Sequence, residues 1–168
     1  MSEFEKRQKR CCFTGHRPEK IGANEDQVKI ALTDAIDAAL AIGKRTFISG
    51  MARGVDMWAA ELILQHREED SSIRLICAVP YPDFEKRWSI HWQRRYQRIV
   101  QESDLVRTIT PSFSMGSYQI RNEWMVDRSS LVIAVFNGEQ GGTKNTIDYA
   151  KAHGIEVAMI DVQRRGGV

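Results

Sequence analysis

Residues 45–66 read Arg45-Thr46-Phe47-Ile48-Ser49-Gly50-Met51-Ala52-Arg53-Gly54-Val55-Asp56-Met57-Trp58-Ala59-Ala60-Glu61-Leu62-Ile63-Leu64-Gln65-His66. Thr46 to Ser49 is β-branched and aromatic, the pattern of a short strand buried on both faces. Within a few residues the spacing becomes helical, and Trp58 to Leu64 favours a helix strongly. Gly50 and Gly54 bracket the turn between them, with Asp56 placed to cap the helix start. A strand that stops at a glycine and turns straight into a helix leaves unpaired N–H groups at the helix N-terminus. Together with the helix dipole they favour an anion.

The design recurs further on. Leu131 to Phe136 is an apolar run of strand length, Asn137-Gly138-Glu139-Gln140-Gly141-Gly142-Thr143 is the turn, and Ile147 to Ala152 continues as a helix. Glycines in such turns are common whatever a protein binds. Two units, with Arg53 and Thr143 beside the glycines, favour a ligand site.

Outward from these units the chain alternates strand and helix. The spacing predicts strands at 10–14, 46–49, 73–79, 105–109, 131–136 and 155–160, and helices at 24–42, 56–66, 84–102, 118–128 and 147–153. Asn24 with Gln27 three positions later forms a capping box, and Gly43 closes that helix. Alternation of this kind gives one Rossmann-like, doubly wound α/β domain: a mostly parallel sheet with helices on both faces, expected order 3-2-1-4-5-6, its cleft between the first and fourth strands. The domain is expected over 10–161, with 1–9 and 162–168 as flexible termini.

The 168 residues suit one domain, and 42% hydrophobic residues suffice for a core. A formal charge of +2 demands no extended nucleic-acid surface. Cys11, Cys12 and Cys77 are odd in number and sit in apolar runs, so they read as reduced, buried thiols of a cytoplasmic protein. No apolar run has membrane-spanning length, and the charged first ten residues do not resemble a signal peptide. No HxxxH, CxxC or acidic cluster calls for a metal, and nothing calls for a bound cofactor.

In a parallel sheet the loops at the strands' carboxyl ends share one edge. That edge would gather Thr14, Gly15, His16 and Arg17; Gly50, Arg53, Gly54 and Asp56; Arg121 and Asn122; and Gly138, Gly141, Gly142 and Thr143. N–H donors and guanidinium groups suit a phosphorylated ligand. There is neither a GxGxxG nor a GxxxxGK[ST] pattern, which argues against P-loop chemistry. His16 reads as a structural hydrogen-bonding residue, Glu61 as facing solvent or an arginine, and the Trp88, Trp92, Tyr96 and Ile99 stripe as a core face, with base stacking beside Lys86, Arg87, Arg94, Arg95 and Arg98 as the alternative.

Thr14-Gly15-His16-Arg17-Pro18, Gly50 to Asp56 with Trp58-Ala59-Ala60-Glu61, Arg121-Asn122 to Asp127, and Gly141-Gly142-Thr143 resemble the YpsA-type branch of the SLOG superfamily. That superfamily is related to DprA and to the Lonely Guy enzymes, and four motifs match in order between about Cys12 and Ile160. The resemblance implies a Rossmann-like fold binding a nucleotide or nucleotide-derived ligand, such as ADP-ribose or an NAD derivative, in a sensing or regulatory role. Arg17, Arg121, Gly141, Gly142 and Thr143 would contact phosphates, and Gly50 and Gly54 would shape the floor. Lonely Guy enzymes carry GGxGTxxE, whereas Thr146 stands here in place of that glutamate. Binding therefore ranks ahead of phosphoribohydrolase activity on a nucleoside monophosphate, for which Asp56, Glu61 or Glu123 would have to substitute. DprA-like single-stranded DNA binding is the other alternative. The expected partner is a small nucleotide-derived molecule, with no membrane and no tight nucleic-acid binding. Analogy also allows a homodimer.

Overall fold

The computed structural model describes residues 1–166. Six strands, β1 (Arg10–Gly15), β2 (Thr46–Ser49), β3 (Arg74–Val79), β4 (Leu105–Thr108), β5 (Leu131–Phe136) and β6 (Glu156–Asp161), form one all-parallel sheet. Six helices accompany them: α1 (Glu3–Gln8), α2 (Glu25–Ala41), α3 (Val55–Glu69), α4 (Ile90–Glu102), α5 (Ser117–Asp127) and α6 (Gly142–Ala152). The expected α/β class, with helices on both faces, is what the chain adopts.

Side chains alternate across the sheet and so build two cores. Cys11, Phe13, Phe47, Leu75 and Ile133 meet α2, α3 and α4 on one face. Cys12, Ile48, Ala78, Val132 and Ala134 meet α5 and α6 on the other. The two adjacent cysteines thus point in opposite directions, and all three thiols are buried and unpaired. Helix α2 shows how sequence sets position. Asn24 accepts from the Gln27 N–H at 2.9 Å, Gln27 accepts from the Asn24 N–H at 3.0 Å, and Val28, Leu32, Ile36 and Ala39 form the buried stripe.

The strand order is β4-β3-β2-β1-β5-β6, not 3-2-1-4-5-6. The reason lies in α4. Its Tyr96 and Ile99, with Trp92 beside them, pack in the same core as α2 and α3. A right-handed crossover on that face continues outward, so β4 must pair with β3. Only after β4 does the chain change face, return through α5 and lay β5 against β1. The switch in winding therefore falls between β1 and β5, where a doubly wound sheet opens a crevice at its carboxyl edge. Arg107 in the middle of β4, whose four residues are all exposed, belongs to an edge strand and not a central one.

Three boundaries also differ. Residues 1–9 contain α1, fixed by a capping box in which Ser2 Oγ accepts from the Glu5 N–H and the Glu5 carboxylate accepts from the Ser2 N–H. Helix α4 starts at Ile90, because Asp83, with φ of 61°, holds residues 80–89 in turns. The tail is tied down in part: the Gly22 N–H donates to the Gln163 carbonyl at 2.8 Å, and Arg164 pairs with Ile21. The last two tail positions, 167 and 168, lie outside the described residues. Among the described residues no helix is long and apolar enough to cross a membrane.

Candidate functional site

At the carboxyl edge a cleft of about 490 Å³ opens across the ends of β1, β2, β3 and β5. That is the size of an ordinary small-molecule site. Of the residues expected there, Thr14, Gly15, His16, Arg17, Arg53, Asp56, Arg121, Asn122, Gly141, Gly142 and Thr143 line it. Gly50, Gly54 and Gly138 do not. Gly50 lies beneath, its carbonyl accepting from Arg121 Nη1. Gly54 packs under the first loop, where an added Cβ would stand 2.8 Å from the His16 carbonyl and from Pro18. Gly138 turns the chain after Asn137 with φ of 86° and faces open space.

The β2–α3 turn sets the floor. Gly54, with φ of 91°, is the N-cap of α3, so Asp56 falls at the second helical position and does not cap the helix as expected. Its Oδ2 reaches back to the Ala52 N–H at 3.3 Å, while Oδ1 is buried without a hydrogen-bond partner. The residue is only 5% exposed. Burial raises its carboxyl from the usual 3.8 to about 6, although the Arg121 charge and the Ala52 N–H both act to lower it.

Arg121 is likewise 5% exposed. Nε donates to Asn122 Oδ1 at 2.8 Å, Nη1 to the Gly50 carbonyl, and Nη2 to no protein group among the described residues. Burial pulls its ionisation down, against the favourable charge of Asp56. His16 has the structural role expected of it. Its Nε2 accepts from the Asn137 N–H at 3.1 Å, which fixes a neutral ring, and burial lowers its pKa. Arg53 is neutralised by Glu19 at 2.7 Å, whereas Arg17 is exposed at the rim.

The β5–α6 turn forms the opposite end. Gly141, with φ of 144°, is the N-cap of α6 and no side chain caps that helix. Its first N–H groups therefore open towards the cleft.

Sequence reasoning missed the third wall. Phe84, Trp88 and Tyr118 line the cleft, with Met115 and Gln119 beside them and Lys20 at the rim. Phe84 and Trp88 meet edge-on at 4.9 Å, and Tyr118 shares a hydroxyl hydrogen bond of 3.0 Å with Tyr81. Trp88 does pack on the core as expected, but from the turns at 80–89 and not from a helix; Pro80, Pro82 and Asp83 were the available signal. The expected arginine partner of Glu61 is Arg95, at 2.5 Å, and Lys29 lies 3.7 Å away.

The chain is 30% identical over 120 residues to the uncharacterized SPbeta prophage-derived protein YoqJ of Bacillus subtilis, covering 64% of this chain and 70% of that protein. Among solved structures it resembles DNA processing protein A of Helicobacter pylori, whose structure concerns its single-stranded DNA binding mode. There the TM-score is 0.61 and the identity 17%, over 94% of this chain and 66% of that one. DNA processing protein A (DprA) of Streptococcus pneumoniae gives a TM-score of 0.63 and 19% identity, over 90% of this chain and 50% of that one. The chain thus spans about two thirds and half of those two proteins, and the likeness is one of fold. The model of the YspA SLOG family matches residues 11–164, nearly the whole chain, and the protein therefore belongs to the YpsA-type SLOG family.

Proposed function

We propose that the cleft binds a nucleotide or nucleotide-derived ligand, of the ADP-ribose or NAD type, and that the protein acts as a sensor or regulator of that ligand. The observation that carries this reading is the uncapped α6 N-terminus at Gly141-Gly142-Thr143, which opens onto the same cleft as Arg17, Lys20 and Arg121. Unpaired N–H groups, a helix dipole and nearby cations together suit phosphate. The aromatic wall of Phe84, Trp88 and Tyr118 supplies flat surfaces on which a base can stack. Calorimetry with AMP, ADP-ribose and NAD tests the reading. Binding of at least one, weakened about tenfold or more by a joint Arg17→Ala and Lys20→Ala change, is the expected result. Absence of binding by all three refutes it.

One observation favours an enzymatic second reading, hydrolysis of the N-glycosidic bond of a nucleoside monophosphate. Among Asp56, Glu61 and Glu123, only Asp56 lines the cleft, and Glu61 is held by Arg95 and Lys29. Release of free adenine from AMP, abolished by Asp56→Asn, would place this reading first.

A further inference from the structure

The carboxyl edge of the sheet carries its functional groups in a fixed sequence. The segment after β3 brings Phe84 and Trp88, the turn after β2 brings Asp56, the loop after β1 brings Thr14 to Arg17, and the turn after β5 brings Gly141 to Thr143. A nucleotide with its phosphate on the β5–α6 turn and its base on the aromatic wall spans this row from end to end. Its sugar then lies over β1 and β2, where Asp56 stands.

Asp56 is short of a partner there. Oδ1 is buried and accepts from nothing, although a buried carboxylate oxygen without a donor is costly. The nearby hydroxyl of Ser49 is unavailable, since it donates to the Asp56 backbone carbonyl at 2.7 Å and accepts from the Met51 N–H at 3.2 Å. Arg121, whose charge acts on Asp56, directs Nε and Nη1 elsewhere and leaves Nη2 as a donor without a protein acceptor among the described residues. One acceptor, the buried Oδ1, and one donor, Nη2, are thus left without protein partners at the floor among the described residues. A sugar hydroxyl, which both donates and accepts, satisfies the pair.

We propose that Asp56, supported by Arg121, is the residue that recognises the sugar of the bound nucleotide, its Oδ1 accepting from a ribose 2′- or 3′-hydroxyl, so that the site selects ribonucleotides over the corresponding deoxy forms. This deepens the nucleotide reading above and rests on it. A hydroxyl donating to an otherwise unpartnered carboxylate discriminates against its deoxy analogue by about tenfold to a hundredfold.

The test is calorimetric titration of the full chain at pH 8 with AMP, 2′-deoxy-AMP and 3′-deoxy-AMP, for the native protein and for Asp56→Asn. The substitution removes a buried charge and keeps a carbonyl for the Ala52 N–H, so the fold is not endangered. The native protein should prefer AMP over at least one deoxy form by about tenfold or more. In Asp56→Asn that preference should disappear, through loss of AMP affinity with the deoxy affinity little changed. Equal binding of all three by the native protein overturns the inference and leaves the nucleotide reading standing. Discrimination that survives in Asp56→Asn overturns the assignment to Asp56. Binding of none overturns the inference, and the nucleotide reading falls with it where ADP-ribose and NAD also fail to bind.

Discussion

Asp56→Asn is expected to stabilise the unliganded protein at neutral pH, because the native site holds a carboxylate in a place that disfavours its charge. Burial raises this carboxyl from 3.8 to about 6 in the folded chain. Between those values the folded state binds more protons than the unfolded one, so stability from this group falls as pH rises. The penalty is complete above about pH 6 and is relieved as pH drops towards 3.8. A gap of about two pH units corresponds to about 3 kcal/mol. Asparagine matches the neutral acid in shape and escapes the penalty. Urea unfolding of both proteins from pH 4 to 8 measures it. Glu19 and Glu25, whose carboxyls are lowered and which therefore stabilise as pH rises, contribute equally to both curves and cancel in the difference. The difference should be small near pH 4, grow through pH 4–6 and level off at about 2–3 kcal/mol in favour of Asp56→Asn. A variant less stable than the native protein at pH 7, or a difference independent of pH, would refute the reasoning.

Other perturbations probe the contacts around this carboxyl and its own titration. In Gly50→Ala the new Cβ would stand 2.9 Å from the Arg121 guanidinium, which is buried and hydrogen-bonded and cannot swing aside; unfolding should show a loss of about 1–3 kcal/mol and titration a large fall in nucleotide affinity. Glu61→Gln weakens the contacts to Arg95 and Lys29 outside the cleft, so it should cost roughly 1 kcal/mol in unfolding and leave nucleotide affinity unchanged. Ligand donation to Asp56 favours its ionised form, so affinity for NAD or ADP-ribose, whose phosphates keep a fixed charge in this range, should rise with pH through about 6 in calorimetry and lose that rise in Asp56→Asn. Gel-shift titration with an oligonucleotide of a few tens of bases should give no sub-micromolar binding at physiological salt.

Much of this architecture could be read from local pattern. The Asn24 capping box, the two glycine turns and the switch from period two to helical spacing after Ser49 act within a few residues of sequence, and each is realised. The capping box at Ser2 and Glu5 is equally local, but the charged residues around it mask the helix it starts. Strand order is a different kind of property. It depends on which face α4 covers, and only the polarity of Leu105-Val106-Arg107-Thr108 hinted that this strand lies at an edge. The site divides in the same way. Glycines, Arg17, Arg121 and Thr143 point in sequence to the phosphate end proposed above. The aromatic wall and the unsatisfied Asp56 Oδ1 arise from segments distant in sequence, and a missing hydrogen-bond partner leaves no trace in sequence at all.

The DprA likeness concerns the frame, and the surface built on that frame decides what can be bound. A single strand needs a basic groove with successive aromatic platforms. The stretch 84–102 has the right composition for one but spends it otherwise. Tyr96 and Ile99 are buried, Trp92 lies under Arg95 with 4.9 Å from Cζ to the ring centre, and Arg95 itself is held by Glu25 and Glu61. Arg98 reaches Glu102 at 3.5 Å, which leaves Arg87 and Arg94 as the arginines of this stretch without an ion pair among the described residues. The aromatic surface still available near that helix, Tyr118 and Trp88 at the cleft of about 490 Å³ and the exposed Phe113 against Tyr81 beside it, is one local cluster and does not run along the basic helix. Sub-micromolar DNA affinity that falls steeply with salt and is weakened by charge reversal at Arg94 and Arg98 would contradict this account. It would mean that the strand follows the outer face of α4 and not the cleft.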